Sequence, residues 1–167
     1  GQLLPCQPLH DHLAGLSVPT HLVPQHTDNS AVLRVILGYQ QDAFSNLQKQ
    51  LFFTSQYTVS DSSDRMGYRL KGANIAPSID GILSEGICLG AIQVPADGQP
   101  IILLNDRQTI GGYAKLGSVL SLDIGKLAQL MPGGTVAFEA ISMDQAHNLL
   151  ALDEQRFNNS QLEPVTQ

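Results

Sequence analysis

Five of the nine basic residues in this chain, Arg65, Arg69, Lys71, Arg107 and Lys115, fall in two segments rich in polar residues and glycine. The first segment covers residues 60–72 and ends SDRMGYRLKG. The second covers residues 98–119 and reads GQPIILLNDRQTIGGYAKLGSV. An arginine fork donates two parallel hydrogen bonds, which suits a carboxylate or a carboxyphosphate. Gly111 and Gly112 let backbone approach a ligand closely. Tyr68 and Tyr113 supply phenol donors or flat faces for stacking. The second segment runs from an apolar strand straight into Asn105, Asp106, Arg107, Gln108 and Thr109, and polar groups crowded there are costly to desolvate unless paired. Function commonly sits on such loops, held by a rigid scaffold. A structural reading stands beside the functional one: Asp106 with Arg107, or Asp64 with Arg65, form salt bridges that fix the loops. Between the two segments, Glu85 is either a general base or a loop-capping carboxylate. Gln93, flanked by Ile92 and Val94, faces solvent or a pocket, and alternation does not choose between them.

The familiar catalytic signatures are absent. The sequence has no phosphate-cradling GxxxxGK[ST], no GxGxxG, no CxxC, no HExxH and no GxSxG. His147 falls on the expected solvent side of a helix. The other histidines, including His10, His12, His21 and His26, crowd into the first thirty residues. Without a third positioned ligand they make no metal site, so none is expected. Cys6 and Cys88 are read as reduced thiols of a cytoplasmic protein, not as a disulfide framework.

Composition narrows the class further. The formal net charge is -6, and no basic stripe exists to neutralise phosphates, which argues against nucleic-acid binding. The longest apolar run, residues 31–37, contains Arg34 and is far too short to span a membrane. At 167 residues the length fits one domain. Charged residues are 14% of the chain, low for a globular protein, yet 43% hydrophobic content is ample for a core. The chain opens on Gly1 rather than Met, and one domain of a longer polypeptide is expected.

The elements that must position these residues are mostly strands. Residues 1–30, punctuated by proline, read as a lead-in. Strands are predicted over residues 31–37, 57–59, 66–70, 90–94, 101–104, 116–122 and 135–140. Pro95-Ala96-Asp97-Gly98 predicts a hairpin turn. Asp42 is expected to cap a helix whose apolar face is Phe44, Leu47 and Leu51. Asp123 is expected to cap a second helix, ending near Leu130. Ser142 with Gln145 makes a capping box for a third, with a stripe of Met143, Ala146, Leu149 and Leu150. Residues 31–152 are read as the domain and 153–167 as a frayed tail. Strands in runs, rather than alternating with helices, predict a mainly β barrel or sandwich with short peripheral helices.

Three blocks together resemble a known family: SDRMGYRLKG, then SEGICLGAIQVPADGQPIILLNDRQTIGGYAKLGSVLSLDIGKLAQLMPGG, then VAFEAISMDQA. They are similar to the family of the 5-oxoprolinase C subunit, also known as allophanate hydrolase subunit 2 or biotin-dependent carboxyltransferase. They also resemble part of the carboxyltransferase region of urea carboxylase and a bacterial antagonist of a sporulation kinase inhibitor. The likeness runs over residues 32–146. It implies a cyclophilin-like β-barrel forming the carboxy-terminal domain of a longer subunit. The implied activity is ATP-dependent opening of 5-oxoproline, a lactam, to glutamate, with a companion subunit of the same superfamily and a third hydrolase subunit. ATP would be used by the complex, with no cofactor bound by this domain, and the domain alone would be inactive. Two alternatives follow from the same resemblance: biotin-dependent carboxyl transfer to urea or a related amide, and a regulatory module that binds a partner protein. In all of these the candidate substrate-binding or interface residues are Arg65, Tyr68, Arg69, Glu85, Gln93, Asp106, Arg107, Thr109, Gly111, Gly112 and Tyr113.

Overall fold

The computed structural model describes residues 15–24, 28–79, 81–161 and 163–164. In chain order the elements are β1 (Leu16–Ser17), β2 (Ser30–Leu37), α1 (Asn46–Thr54), β3 (Tyr57–Val59), β4 (Gly67–Lys71), β5 (Glu85–Gly86), β6 (Ala91–Val94), β7 (Ile101–Leu103), β8 (Ile110–Gly111), β9 (Ala114–Val119), α2 (Ile124–Ala128), β10 (Thr135–Ala140), α3 (Met143–Asn158) and β11 (Glu163–Pro164). The chain divides into two units, residues 26–150 and residues 1–25 with 151–167. The second unit holds the short antiparallel pair of β1 and β11. Cys6, His10, His12 and His26 lie outside the described residues, as do residues 1–14 of the expected lead-in.

In the first unit seven strands close into a barrel in the order β10-β2-β9-β6-β7-β4-β3. Six of the seven neighbour pairs, counting the closing β3–β10 pair, are antiparallel, and β10 runs parallel to β2, Thr135 opposite Ser30 through Ala140 opposite Val35. The mainly β barrel with peripheral helices expected from the strand pattern is therefore what the chain forms. Inward-facing residues alternate along each strand. Leu33, Val35, Tyr57, Val59, Leu70, Ile92, Val94, Ile102, Leu116, Val136 and Phe138 fill one continuous core. The predicted hairpin joins β6 to β7: Gly98 N–H donates to Pro95 O at 2.9 Å, and Gly98 adopts φ +72°, the left-handed region where glycine has no Cβ penalty.

The helices differ in detail from the sequence reading. Residues Gln41–Ala43 form a 3-10 turn, and α1 starts later, with Ser45 as N-cap in a capping box with Gln48. Phe52, not Leu47 or Leu51, is the buried face of α1; Leu47 is 73% exposed. Phe52 stacks on Phe138 of β10 with ring centroids 4.1 Å apart, so aromatic packing sets the helix rotation. The Ser142–Gln145 box at the start of α3 forms as predicted, with N–H···O distances of 2.8 and 3.1 Å. Of the expected α3 stripe only Ala146 is fully buried. The helix continues to Asn158, so the stretch just after residue 152 is helical rather than a frayed tail.

Asp123 corrects a second expectation. It makes no capping hydrogen bond to α2. Its fully buried carboxylate instead takes Arg34 Nε and Nη2, both at 2.7 Å, the Arg34 backbone N–H at 2.9 Å, and Lys126 Nζ at 2.7 Å. Burial pushes the Asp123 carboxyl up, but hydrogen bonds from Arg34 and Lys126 outweigh it and hold it below its ordinary value. A carboxyl depressed in the folded state stabilises fully above its unfolded value, about 4, and loses that contribution as pH falls through the folded value. Asp123→Asn leaves Arg34 half-buried without its partner. It is expected to lower stability by ~3 kcal/mol at neutral pH and to flatten the acid limb of the stability curve. Urea unfolding between pH 7 and pH 3 measures both.

Candidate functional site

Alternation along three neighbouring strands puts Arg69 and Gly67 of β4, Ile101 and Leu103 of β7, and Gln93 of β6 on the outer face of the barrel wall. Register places them in rows: Arg69 opposite Ile101, Ile101 opposite Gln93, and Gly67 opposite Leu103. β6 is buried on both faces, because the outer one is covered. The cover is the two-stranded ribbon of β5 and β8, Glu85 opposite Gly111 and Gly86 opposite Ile110, with Ile87 N–H donating to Thr109 O at 3.0 Å. Between wall and cover lies a cleft of about 290 Å³ lined by Asp64, Met66, Gly67, Arg69, Ile87, Gln93, Ile101, Leu103, Arg107, Gln108 and Tyr113. That size suits a small ligand. A bulge in β9, where Lys115 rather than Leu116 follows Gly117 in the pairing with β6, falls beside Gln93. Bulges of this kind often adjoin sites.

The cleft's polar groups are unevenly satisfied. Arg107 is fixed by two carbonyls, Nε to Ile87 O at 3.2 Å and Nη1 to Leu104 O at 3.1 Å. Those bonds engage Nε and Nη1 and leave Nη2 without a protein partner among the described residues. The Arg69 guanidinium has none either; only its backbone is engaged, with Ser60 and Ser63. Asp64 Oδ1 accepts the N–H groups of Met66 and Gly67 at 2.8 and 3.2 Å, which shapes the turn into β4. Gln93 is 6% exposed, yet its Nε2 makes no hydrogen bond. A buried donor left unpaired costs about 1–3 kcal/mol. A Cβ at Gly111 would sit 2.6 Å from that nitrogen and 2.5 Å from Ile87 Cδ1, so the ribbon closes over the amide only because residue 111 has no side chain.

The structure sorts the candidate residues. Arg69, Gln93, Arg107 and Tyr113 line the cleft, and Gly111 roofs it. Gly112 and Thr109 brace the ribbon through backbone carbonyls that accept from Ile82 and Ile87. Arg65 and Asp106 stand outside the lining: they pair with each other at 2.9 Å, and Asp106 N–H also donates to Arg65 O at 3.1 Å. The loop-fixing bridge thus forms across the two segments, not within either. Tyr68 alternates to the other side of β4 and packs on the core. Its hydroxyl lies 3.3 and 3.2 Å from the carbonyls of Ala128 and Leu130.

Glu85 lies outside the cleft, in a cluster that pins the ribbon to β9. Its carboxylate meets Lys115 Nζ at 2.5 Å and Gln40 Nε2 at 2.6 Å, while Lys115 Nζ also donates to Gly86 O at 3.1 Å. Hydrogen bonds from Lys115 and Tyr39 lower the Glu85 carboxyl. For Lys115, burial pulls the ammonium down, but the hydrogen bond and charge of Glu85 raise it on balance. The Glu85 carboxylate is thus committed to Lys115 and Gln40, away from the cleft lining.

Sequence reasoning missed Ile87, Ile101 and Leu103, whose apolar surfaces form the cleft walls; only strand alternation around Gln93 and Arg69 pointed to the last two. It also missed the Tyr39–Gln40–Lys115 anchor. Cys88 is exposed and unbridged. Among the described residues no group of three or more His, Cys, Asp or Glu is placed to hold a metal ion, and no helix is long and apolar enough to cross a membrane.

The unit of residues 26–150 is a mainly β domain whose seven-stranded barrel has a roofed cleft on its outer wall. Residues 1–140 match the carboxyltransferase domain, subdomain A and B, and the chain belongs to that family. It is 35% identical over 149 residues to the C subunit of 5-oxoprolinase from Haemophilus influenzae, covering 89% of this chain and 47% of that protein. Identity to the C subunit of the Escherichia coli K12 5-oxoprolinase is 36% over 126 residues, covering 75% of this chain and 40% of the relative. The chain thus spans less than half the length of these relatives. Among solved structures, urea amidolyase from K. lactis superposes with a TM-score of 0.77 at 25% identity, covering 85% of this chain and 9% of that one.

The Arg65–Asp106 pair is solvent-exposed, and exposed pairs contribute little. Arg65→Ala is expected to move the thermal midpoint by no more than ~1 °C, measured by differential scanning fluorimetry.

Proposed function

We propose that this chain is part of a subunit of an ATP-dependent lactam hydrolase that opens 5-oxoproline to glutamate, working with a companion subunit of its own superfamily and a third hydrolase subunit. The single observation that carries the reading is the cleft, where two guanidinium groups with uncommitted donors share one small, partly apolar recess with a buried amide donor. Such a recess suits a compact substrate that has both a carboxylate and an amide oxygen. The similarity to the 5-oxoprolinase C subunit, at 35% identity over 89% of the chain, supports the same assignment. Opening a stable lactam requires charge to be stabilised as it develops on the carbonyl oxygen, and N–H and guanidinium donors placed around that oxygen supply this. ATP would be consumed by the assembled complex, and this chain alone would not turn over.

A second reading is carboxyl transfer to urea or a related amide with a biotin-borne carboxyl group. The superposition on K. lactis urea amidolyase favours it. The two readings share the cleft and differ in what enters it.

The test supplies the intact protein and its companion subunits with 5-oxoproline and ATP, then follows glutamate and ADP. Equal yields of glutamate and ADP are expected. Arg69→Ala and Arg107→Lys are expected to lower kcat/KM at least tenfold while the complex still assembles, and Arg65→Ala to leave it unchanged. Carboxylation of urea dependent on biotin, with no glutamate formed, would replace the first reading by the second.

A further inference from the structure

The cleft keeps one group in a state that folding alone disfavours. Gln93 is 94% buried, its neighbours in β6 are apolar, and its Nε2 has no partner. Leucine or methionine would fill the same wall, bounded by Ile87 and Ile101, without an orphaned donor. Gly111 compounds the effect, because any side chain at that position would push the amide aside. The fold therefore holds an N–H donor in place at a cost in stability, on a surface where Arg69 and Arg107 supply cationic donors.

The charges limit what the donor can meet. Arg69 and Arg107 contribute two positive charges to the lining, and Asp64 contributes one negative charge. A net single positive charge matches a monoanion. A second carboxylate on the ligand would face Asp64, whose Oδ1 is already engaged by backbone N–H groups. An amide N–H, being neutral, is suited to a neutral carbonyl oxygen rather than to the anionic group, which the guanidinium forks hold better.

We propose that Gln93 is the specificity-determining residue of the cleft: its Nε2 donates to the carbonyl oxygen of a small cyclic amide that bears one carboxylate, and Arg69 and Arg107 take the carboxylate. The proposal rests on the lactam reading for the ring, and on the donor and charge arrangement for the orientation. A ligand without the carbonyl leaves the donor as unpaired as it is in the empty cleft. It gains none of the binding energy that a filled donor returns.

The test titrates the intact protein with three compounds, each followed by calorimetry: 5-oxoproline, cyclopentanecarboxylate, which lacks the carbonyl, and 2-pyrrolidinone, which lacks the carboxylate. Binding of 5-oxoproline at least tenfold tighter than either is expected. Gln93→Met is expected to erase the preference over cyclopentanecarboxylate and, by removing an unpaired buried donor, to raise the thermal midpoint by about 2–4 °C. Equal affinity for 5-oxoproline and cyclopentanecarboxylate overturns the proposal, as does absence of binding. A lowered midpoint in Gln93→Met also overturns it, since a structural hydrogen bond would behave that way. The two readings fail separately. If the Gln93→Met complex makes glutamate with unchanged kcat/KM, the hydrolase stands and this role for Gln93 falls. If the wild-type complex makes no glutamate yet the carbonyl preference is measured, the hydrolase falls and this role stands.

Discussion

A closed ring of seven strands cannot alternate direction all the way round. An odd ring must contain at least one parallel pair, and here that pair is β2 with β10. The rest of the barrel follows from where that pair is placed. Parallel neighbours cannot be joined by a tight turn, so the chain completes the other five strands before β10 returns to β2. β10 also meets β3 on its other edge, through Thr135 and Val136, which closes the ring. Phe138 on β10 then stacks on Phe52 of α1, and the closing strand carries a large share of the aromatic core.

Closure leaves one place where a strand runs out. β9 pairs with β2 at Val35–Leu37 and then leaves the wall. The next N–H on β2, that of Arg34, would be left without a strand partner. Asp123 takes it, and the same carboxylate receives the Arg34 side chain. One buried charge thus replaces a missing piece of sheet and neutralises the guanidinium that would otherwise be stranded there. On the opposite part of the wall the problem is reversed. β6, β7 and β4 present an outer face that would be bare without cover, and the β5–β8 ribbon supplies it. The ribbon stands off far enough to leave the cleft, and the ion pair of Glu85 with Lys115 anchors its near end.

Local pattern carried much of the fold. Strands 57–59 and 135–140 read to the residue, and the Asp-Gly turn and the Ser142–Gln145 box lay where their chemistry required. The failures share one cause, a partner distant in sequence. Asp123 has the look of a helix cap, and nothing near it announces Arg34, 89 positions earlier. Leu47 and Leu51 have helical spacing, but barrel closure sets the α1 rotation and favours Phe52. The site was legible in part. Arginines and glycines marked the two segments and an out-of-place glutamine lay between them, and alternation could have separated Tyr68 from Arg69, which lie on opposite faces of β4. Ile87 gave no such signal, because its role comes from a ribbon only two residues long in each strand.

The parallel pair also sets an order of events in time. Ser30 finds Thr135 roughly a hundred positions later, and long loops are slow to close. A ribosome delivers β2 early and β10 late. Both neighbours of β2, β9 and β10, come late in the chain, so for most of the domain's synthesis both edges of β2 have exposed backbone groups and no neighbour, while the hairpin of β6 and β7 is already able to form. Nascent chains of this domain therefore spend their longest interval with β2 unpaired on both edges, a form prone to pairing with another chain.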